Sequence, residues 1–320
     1  MFRKLSLFIV LTMLLVVSSI GYAQEGTRVD VYGRTLPEDA ADYELQVWTE
    51  LCDATRTEIS ISSVVTVYQR ICGLHGYDQY SDPLVQLDQN MQLFPGAATH
   101  WEPTEDGLGW LFYLRGDQMW SDGTPVTAND WVRSFQFMAD PVNAYDFVWM
   151  WNGVIEGWDE SVAGEISPEE IGVVAVDDNT LLMRTQNPFP PFPATMAYWP
   201  PMQAASLGEP GNWTPEYILD PETHVSAGPF ILTEFVAGDH LVLQANPDYV
   251  GPNTPWLHEI RGIYGDQLNS SFLAFQNYEI DRVDYTHLKP ADYVVINENE
   301  DLRENFLPHA GDFRADYLLF

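Results

Sequence analysis

Apolar and polar positions along this 320-residue chain follow short, clearly bounded periods. Behind Asp106-Gly107, Leu108 to Leu114 alternates aromatic and aliphatic residues, which predicts a strand entered from a turn. Thr127 precedes Ala128-Asn129-Asp130, a capping hydroxyl with an acid in the first turn. An apolar face follows at Trp131, Val132, Phe135 and Met138, so a helix is expected, stopped by Asp140-Pro141. Ile171 to Val176 and Thr180 to Arg184 are β-rich runs around Asp177-Asp178-Asn179, a hairpin pattern. Phe230 to Phe235 and His240 to Ala245 read as another hairpin turning at Ala237-Gly238-Asp239. The proline-rich stretch Asn187 to Pro201 predicts a stiff, extended loop. A helix is expected over about Asn269 to Tyr278, then a β-type segment from Ile280 to Tyr285. Phe313 to Phe320 reads as a further strand. Because that strand ends on Leu318-Leu319-Phe320, we expect the chain to be part of a longer protein. No internal repeat or low-complexity tract interrupts the pattern.

The first residues have a different grammar. Arg3 and Lys4 precede an apolar run from Leu5 to Ile20, and Gly21-Tyr22-Ala23 supplies small residues before Gln24. Residues 1–23 therefore read as a cleaved export signal, since the run is shorter than the ~20 apolar residues of a spanning helix. The first cysteine is Cys52, so no lipid-attachment cysteine stands at the cleavage point, and the expected location is periplasmic or secreted. Fourteen basic against 47 acidic residues give a net charge of −33. That excludes a general nucleic-acid binder, which needs Lys and Arg for phosphates. Its plainest consequence is a solvated acidic surface. Cys52 and Cys72 are the two cysteines. In an oxidising compartment a disulfide between them would contribute ~3 kcal/mol, and two buried thiols are the alternative. No clustered histidine completes a zinc site.

Motifs for catalysis are missing. The chain has no Gly-x-Ser-x-Gly elbow, no His-Glu-x-x-His pair and no phosphate-cradling glycine loop. His258-Glu259 lacks a second histidine four residues on. An enzyme is not expected; the rival from composition alone is a secreted glycoside hydrolase using two of the many carboxylates.

Several blocks carry a family resemblance in sequence order. They are Pro95 to Glu102 leading into Asp106-Gly107; Phe112-Tyr113-Leu114-Arg115; and Trp120-Ser121-Asp122-Gly123-Thr124-Pro125-Val126-Thr127-Ala128-Asn129-Asp130. Then come Val176 to Leu181, Ala227-Gly228-Pro229-Phe230, Asn246-Pro247-Asp248-Tyr249 with Gly251, and Phe275 to Asp281. Together they resemble the bacterial extracellular solute-binding proteins of family 5, which include oligopeptide-, dipeptide- and nickel-binding receptors. The last block departs from the pattern, with Tyr278 where the family has glycine. Each block also has a structural reading: Ser121 to Pro125 a tight turn, Arg115 pairing with a carboxylate, Gly228-Pro229 opening a strand at a close backbone approach, and Asn246 to Tyr249 a turn that buries a tyrosine ring.

The resemblance implies a two-lobed α/β receptor, periplasmic-binding-protein-like (type II, cluster C). Residues 24–310 would form lobe I, with an extra subdomain at about 64–195, and residues 311–320 the crossover toward lobe II. It implies the substrate-binding component of an ABC importer: a monomer that hands peptides or similar small solutes to a permease and ATPase complex, without cofactor, metal or nucleic acid. An oligosaccharide ligand is the alternative within the family. Its ligand contacts map onto Glu58, Ser60 and Ser62, onto Tyr145, Phe147, Trp149 and Trp151, and onto Tyr317. The four aromatics alternate as one face of an extended segment would, or as a buried stripe would. Trp199 is a further candidate.

Overall fold

A computed structural model of the chain describes residues 28–52, 70–71, 74–75, 80–88, 90–145, 147–218, 220–236, 239–264, 270–283 and 288–304. Glu58, Ser60, Ser62, Cys72, Tyr317, the leader at 1–23 and the 313–320 segment lie outside the described residues.

Two four-stranded sheets organise the chain. The strands of these sheets and of a separate two-stranded pair, β2–β3, are in chain order β1 (Val47–Cys52), β2 (Val85–Leu87), β3 (Leu93–Pro95), β4 (Ala98–Pro103) and β5 (Gly109–Leu114). They continue as β6 (Val173–Asp177), β7 (Thr180–Arg184), β8 (Phe230–Val236), β9 (His240–Ala245) and β10 (Glu259–Tyr264). One sheet is antiparallel throughout, in the order β4-β5-β7-β6. The other is mixed, in the order β1-β10-β9-β8, with β1 parallel to β10 from Val47↔Glu259 to Cys52↔Tyr264. Both expected hairpins form, β6–β7 and β8–β9. A one-residue bulge at Thr233 shifts the second, between Leu232 and Glu234.

Helix α1 (Ala128–Ala139) packs on β6 and β7. The Thr127 N–H donates to Asp130 Oδ2 at 2.7 Å, so the first-turn acid caps the helix as the sequence suggests. Its apolar face buries Trp131, Phe135 and Met138 against Phe112, Leu181 and Met183 of the antiparallel sheet. Each large side chain so buried contributes roughly 1.5–3 kcal/mol. Phe230, Leu232, Leu241, Leu243 and Ile260 of the mixed sheet join the same core.

The Ser121 to Pro125 turn is architectural. Asp122 Oδ1 accepts from the Thr124 N–H and hydroxyl at 2.9 and 2.7 Å, and Gly123 sits at φ +82°. The Ser121 N–H donates to the Ser226 carbonyl at 2.7 Å, tying this turn to the chain entering β8. The Ala227 and Gly228 N–H groups donate to the Tyr80 carbonyl, the close approach expected at Gly228-Pro229. Arg115 pairs with Asp117 at 3.1 Å. Tyr249 is buried in its turn.

Two elements differ from expectation. Asn187 to Pro201 is not one extended loop: it holds α3 (Phe192–Thr195) and a 3-10 turn (Met196–Tyr198), after α2 (Trp158–Val162). Proline obstructs a helix interior but fits its first turn, where the missing N–H has no partner to lose. Burial of Phe192 and Met196 then holds the turn in place. The strand expected from Ile280 is, among the described residues, a single bridge of Arg282 to Glu50. Asp281 instead clasps β1: the Thr49 N–H donates to Asp281 Oδ2 and the Asp281 N–H to the Thr49 carbonyl, each at 2.7 Å. The preceding helix is also shorter than expected. After α4 (Ala204–Leu207), α5 spans Ser271–Gln276 and is capped by Ser270, whose hydroxyl accepts from the Leu273 N–H.

Candidate functional site

The segment from Tyr145 to Trp151 begins beyond the end of α1. Its backbone forms a 3-10 turn over Val148–Trp151, closed by the Met150 N–H on the Phe147 carbonyl at 3.0 Å. This corrects the extended reading. At three residues per turn, side chains two positions apart point in different directions. The four aromatics therefore separate. Tyr145 and Trp151 are buried, Phe147 is half-buried and Trp149 is 62% exposed.

The buried pair belongs to an aromatic cluster. Trp151 lies 5.2 Å from Trp199, 5.6 Å from Phe135 and 5.9 Å from Phe192, ring centre to ring centre, all tilted. Tyr145 meets Trp199 edge-on at 6.4 Å. Such geometries suit the aromatic quadrupole and add to burial. Trp199 is itself buried, and its carbonyl accepts from the Trp131 indole N–H at 3.2 Å. Tyr145, Trp151 and Trp199 are thus core residues in this arrangement. Trp158 reinforces the turn by donating its indole N–H to the Val148 carbonyl at 2.8 Å. Phe147 and Trp149, 6.2 Å apart and tilted at 49°, cap the cluster on its solvent side. Two flat rings on a core-anchored turn offer apolar contact area at little cost in conformational entropy, a chemistry for binding rather than reaction.

Three buried polar groups went unnoticed as structural centres in the sequence. Asp130 is buried; besides capping α1 it accepts from the Ala204 N–H at 2.7 Å, and burial raises its pKa despite these bonds. Asp82, 1% exposed, accepts from the Tyr249 hydroxyl at 2.8 Å and from the Gln118 amide at 2.9 Å. Burial pushes its pKa up to about 6. His224, buried edge-on against Tyr80 at 4.6 Å, has Nδ1 3.0 Å from the Ile218 carbonyl, and burial pushes its pKa down to about 4. Only Asp130 carried a local signal, its place in the capping motif. Among the described residues, no group of three or more His, Cys, Asp or Glu is placed to hold a metal, and no helix is long and apolar enough to cross a membrane.

The profile described as bacterial extracellular solute-binding proteins, family 5 Middle, matches residues 92–320. The chain belongs to this family. Among its relatives, the periplasmic murein peptide-binding protein MppA of Escherichia coli is 33% identical over 172 residues, 52% of this chain and 30% of MppA. The probable deoxycholate-binding periplasmic protein YgiS of the same organism is 31% identical over 208 residues, 63% of this chain and 37% of YgiS. Listeria monocytogenes OppA bound to peptide matches in structure with a TM-score of 0.65 at 25% identity, over 80% of this chain and 48% of OppA. The family 5 chain thus spans about a third of the length of these two curated relatives and about half of that solved structure. Its mixed α/β architecture is that of the two-lobed periplasmic peptide-binding proteins.

Proposed function

We propose that the chain is part of the extracytoplasmic substrate-binding component of an ABC importer, and that its solute is a peptide delivered to a membrane permease and its ATPase. The reading rests on family 5 membership together with relatives that are named as binding proteins for murein peptides and oligopeptides. The single feature of the site that carries it is the Phe147–Trp149 corner, solvent-facing at Trp149 and joined to the buried cluster through Tyr145, which lies 6.3 Å from Phe147 and 6.4 Å from Trp199. Flat apolar rings tolerate varied side chains, which suits a receptor that takes many sequences. An export signal over residues 1–23, a periplasmic or secreted location and a monomeric receptor belong to the same reading. So does a ligand surface that Glu58, Ser60, Ser62 and Tyr317 complete. The YgiS relationship supplies a second reading, an amphipathic steroid acid as ligand.

Calorimetric titration of the full-length protein with di- to pentapeptides, deoxycholate and an oligosaccharide separates these classes. Peptide binding with no response to the other two is expected. Binding of deoxycholate alone would replace the peptide reading. Trp149→Ala should weaken peptide binding by about tenfold, ~1.4 kcal/mol, and leave the unfolding midpoint in place because the ring is largely exposed. Unchanged affinity would remove this corner from the site.

A further inference from the structure

The segment entering β2 joins the two sheets through one buried carboxylate. Tyr80 receives the Ala227 and Gly228 N–H groups from the strand entry of the mixed sheet. Pro83 and Leu84, three and four residues on, receive N–H groups from Ala97 and Ala98, which lead into the antiparallel sheet. Between them Asp82 points into the contact, where Tyr249 reaches it from the turn after β9 and Gln118 from the chain after β5. That turn is fitted closely over the carboxylate. A Cβ on Gly251 would lie 2.0 Å from Tyr249 Oη and 2.3 Å from Asp82 Oδ2, so only glycine fits. The Asn253 N–H donates to Tyr249 Oη at 3.1 Å, and its side-chain amide donates to Gln86 at 3.1 Å.

We propose that this junction is a proton-tightened joint: taking up a proton on Asp82 strengthens the hold of the turn at residues 246–253 on the antiparallel sheet. The carboxylate, 1% exposed, has neutral hydrogen-bond donors, and among the described residues no cation contacts it. Arg115 is the charged group that faces it from the end of β5. Its guanidinium is committed to Asp117 at 3.1 Å and to the Val250 carbonyl at 2.6 Å, so it acts on Asp82 only through its field. The other titratable neighbours are Tyr249, whose pKa is raised by burial and by Asp82, and His224, one ring away behind Tyr80. An anion in such a place loses hydration without gaining an ion pair. The protonated acid fits the same donors: a half-turn of the Gln118 amide offers its carbonyl to the new O–H, while Tyr249 still donates to the other oxygen. Asp82 therefore binds its proton more readily folded, near pH 6, than unfolded, near 3.8. A folded pKa above the unfolded value means that the joint strengthens as pH falls through about 6. The joint concerns how the two sheets hold together, and stands whether or not the peptide reading does.

Asp82→Asn keeps the shape and removes the titration. Urea unfolding at pH 7.5 and pH 5.0 should show the wild type gaining about tenfold more in its folding equilibrium than the variant on acidification. The variant supplies the correction for every other carboxylate and for His224. An equal response in both proteins overturns the proposal. Should the variant not fold, amide exchange of the wild type, corrected for intrinsic rates, decides. Amides at 249–253 should gain protection at pH 5.0 relative to those of β5 and β7, and a uniform change would refute the joint.

Discussion

The antiparallel sheet under α1 and the β1 margin of the mixed sheet bury their apolar side chains to different degrees. In the first, Trp131, Phe112, Leu181 and Met183 are all at 0% exposure. At the margin, Leu51, Ala274 and Ile280 form a small cluster of their own with Phe275. There Leu273 is 51% exposed. Around α1 every local device agrees with the packing: the cap, the glycine turn and the strand alternation all serve one core. At the margin short elements are held by backbone clasps such as Asp281 on Thr49. Agreement across levels gives a cooperative unit, whereas clasped edges open locally.

The sharpest test of that contrast is truncation in each region. Trp131→Ala should cost about 3–5 kcal/mol in urea unfolding, as deep aromatic truncations do, and Leu51→Ala about 2, because its small cluster relaxes toward solvent. Equal costs would erase the distinction. A second test uses the seam between the sheets. His224 has a folded pKa depressed from 6.5 to about 4. The unfolded chain therefore takes up the proton first, and the stability from neutral His224 is complete above pH 6.5 and lost as pH falls toward 4. At pH 5 about 2 kcal/mol should be missing relative to pH 7.5, and His224→Gln should abolish that part of the pH dependence. The smallest effect lies at the margin. Helix α5 ends with the Tyr278 N–H on the Phe275 carbonyl and the Glu279 N–H on the Ala274 carbonyl, with Tyr278 at φ +60° and 95% exposed. This is a Schellman ending whose left-handed position favours glycine. Tyr278→Gly should raise stability by about 1 kcal/mol, measured as a higher urea midpoint; a lower midpoint would show that the tyrosine supports the margin.

How much could be read in advance depended on distance along the chain. Thr127 and Asp130 are three residues apart, and both hairpins turn within a few residues, so their chemistry was visible in short windows. Tyr278 in the family's glycine position pointed to the turn where the strained φ is found. The Tyr145 to Trp151 stretch misled because alternation implies one face only in an extended backbone. Choosing between an extended and a 3-10 backbone there depended on the hydrogen bond that Trp158 supplies and on the cluster waiting for Trp151. Asp82 carried no signal at all, since its donors come from 36 and 167 residues away.

The sequence by itself therefore determined the capped helix, the turns, the strand alternation and the family pattern, because each is fixed by interactions within a few residues. Only the tertiary structure decided which aromatics are core and which face solvent, and which carboxylates are buried, because burial is a property of neighbours that the chain brings together from afar. A Trp or an Asp has the same local preferences in either setting; what differs is the water removed from around it.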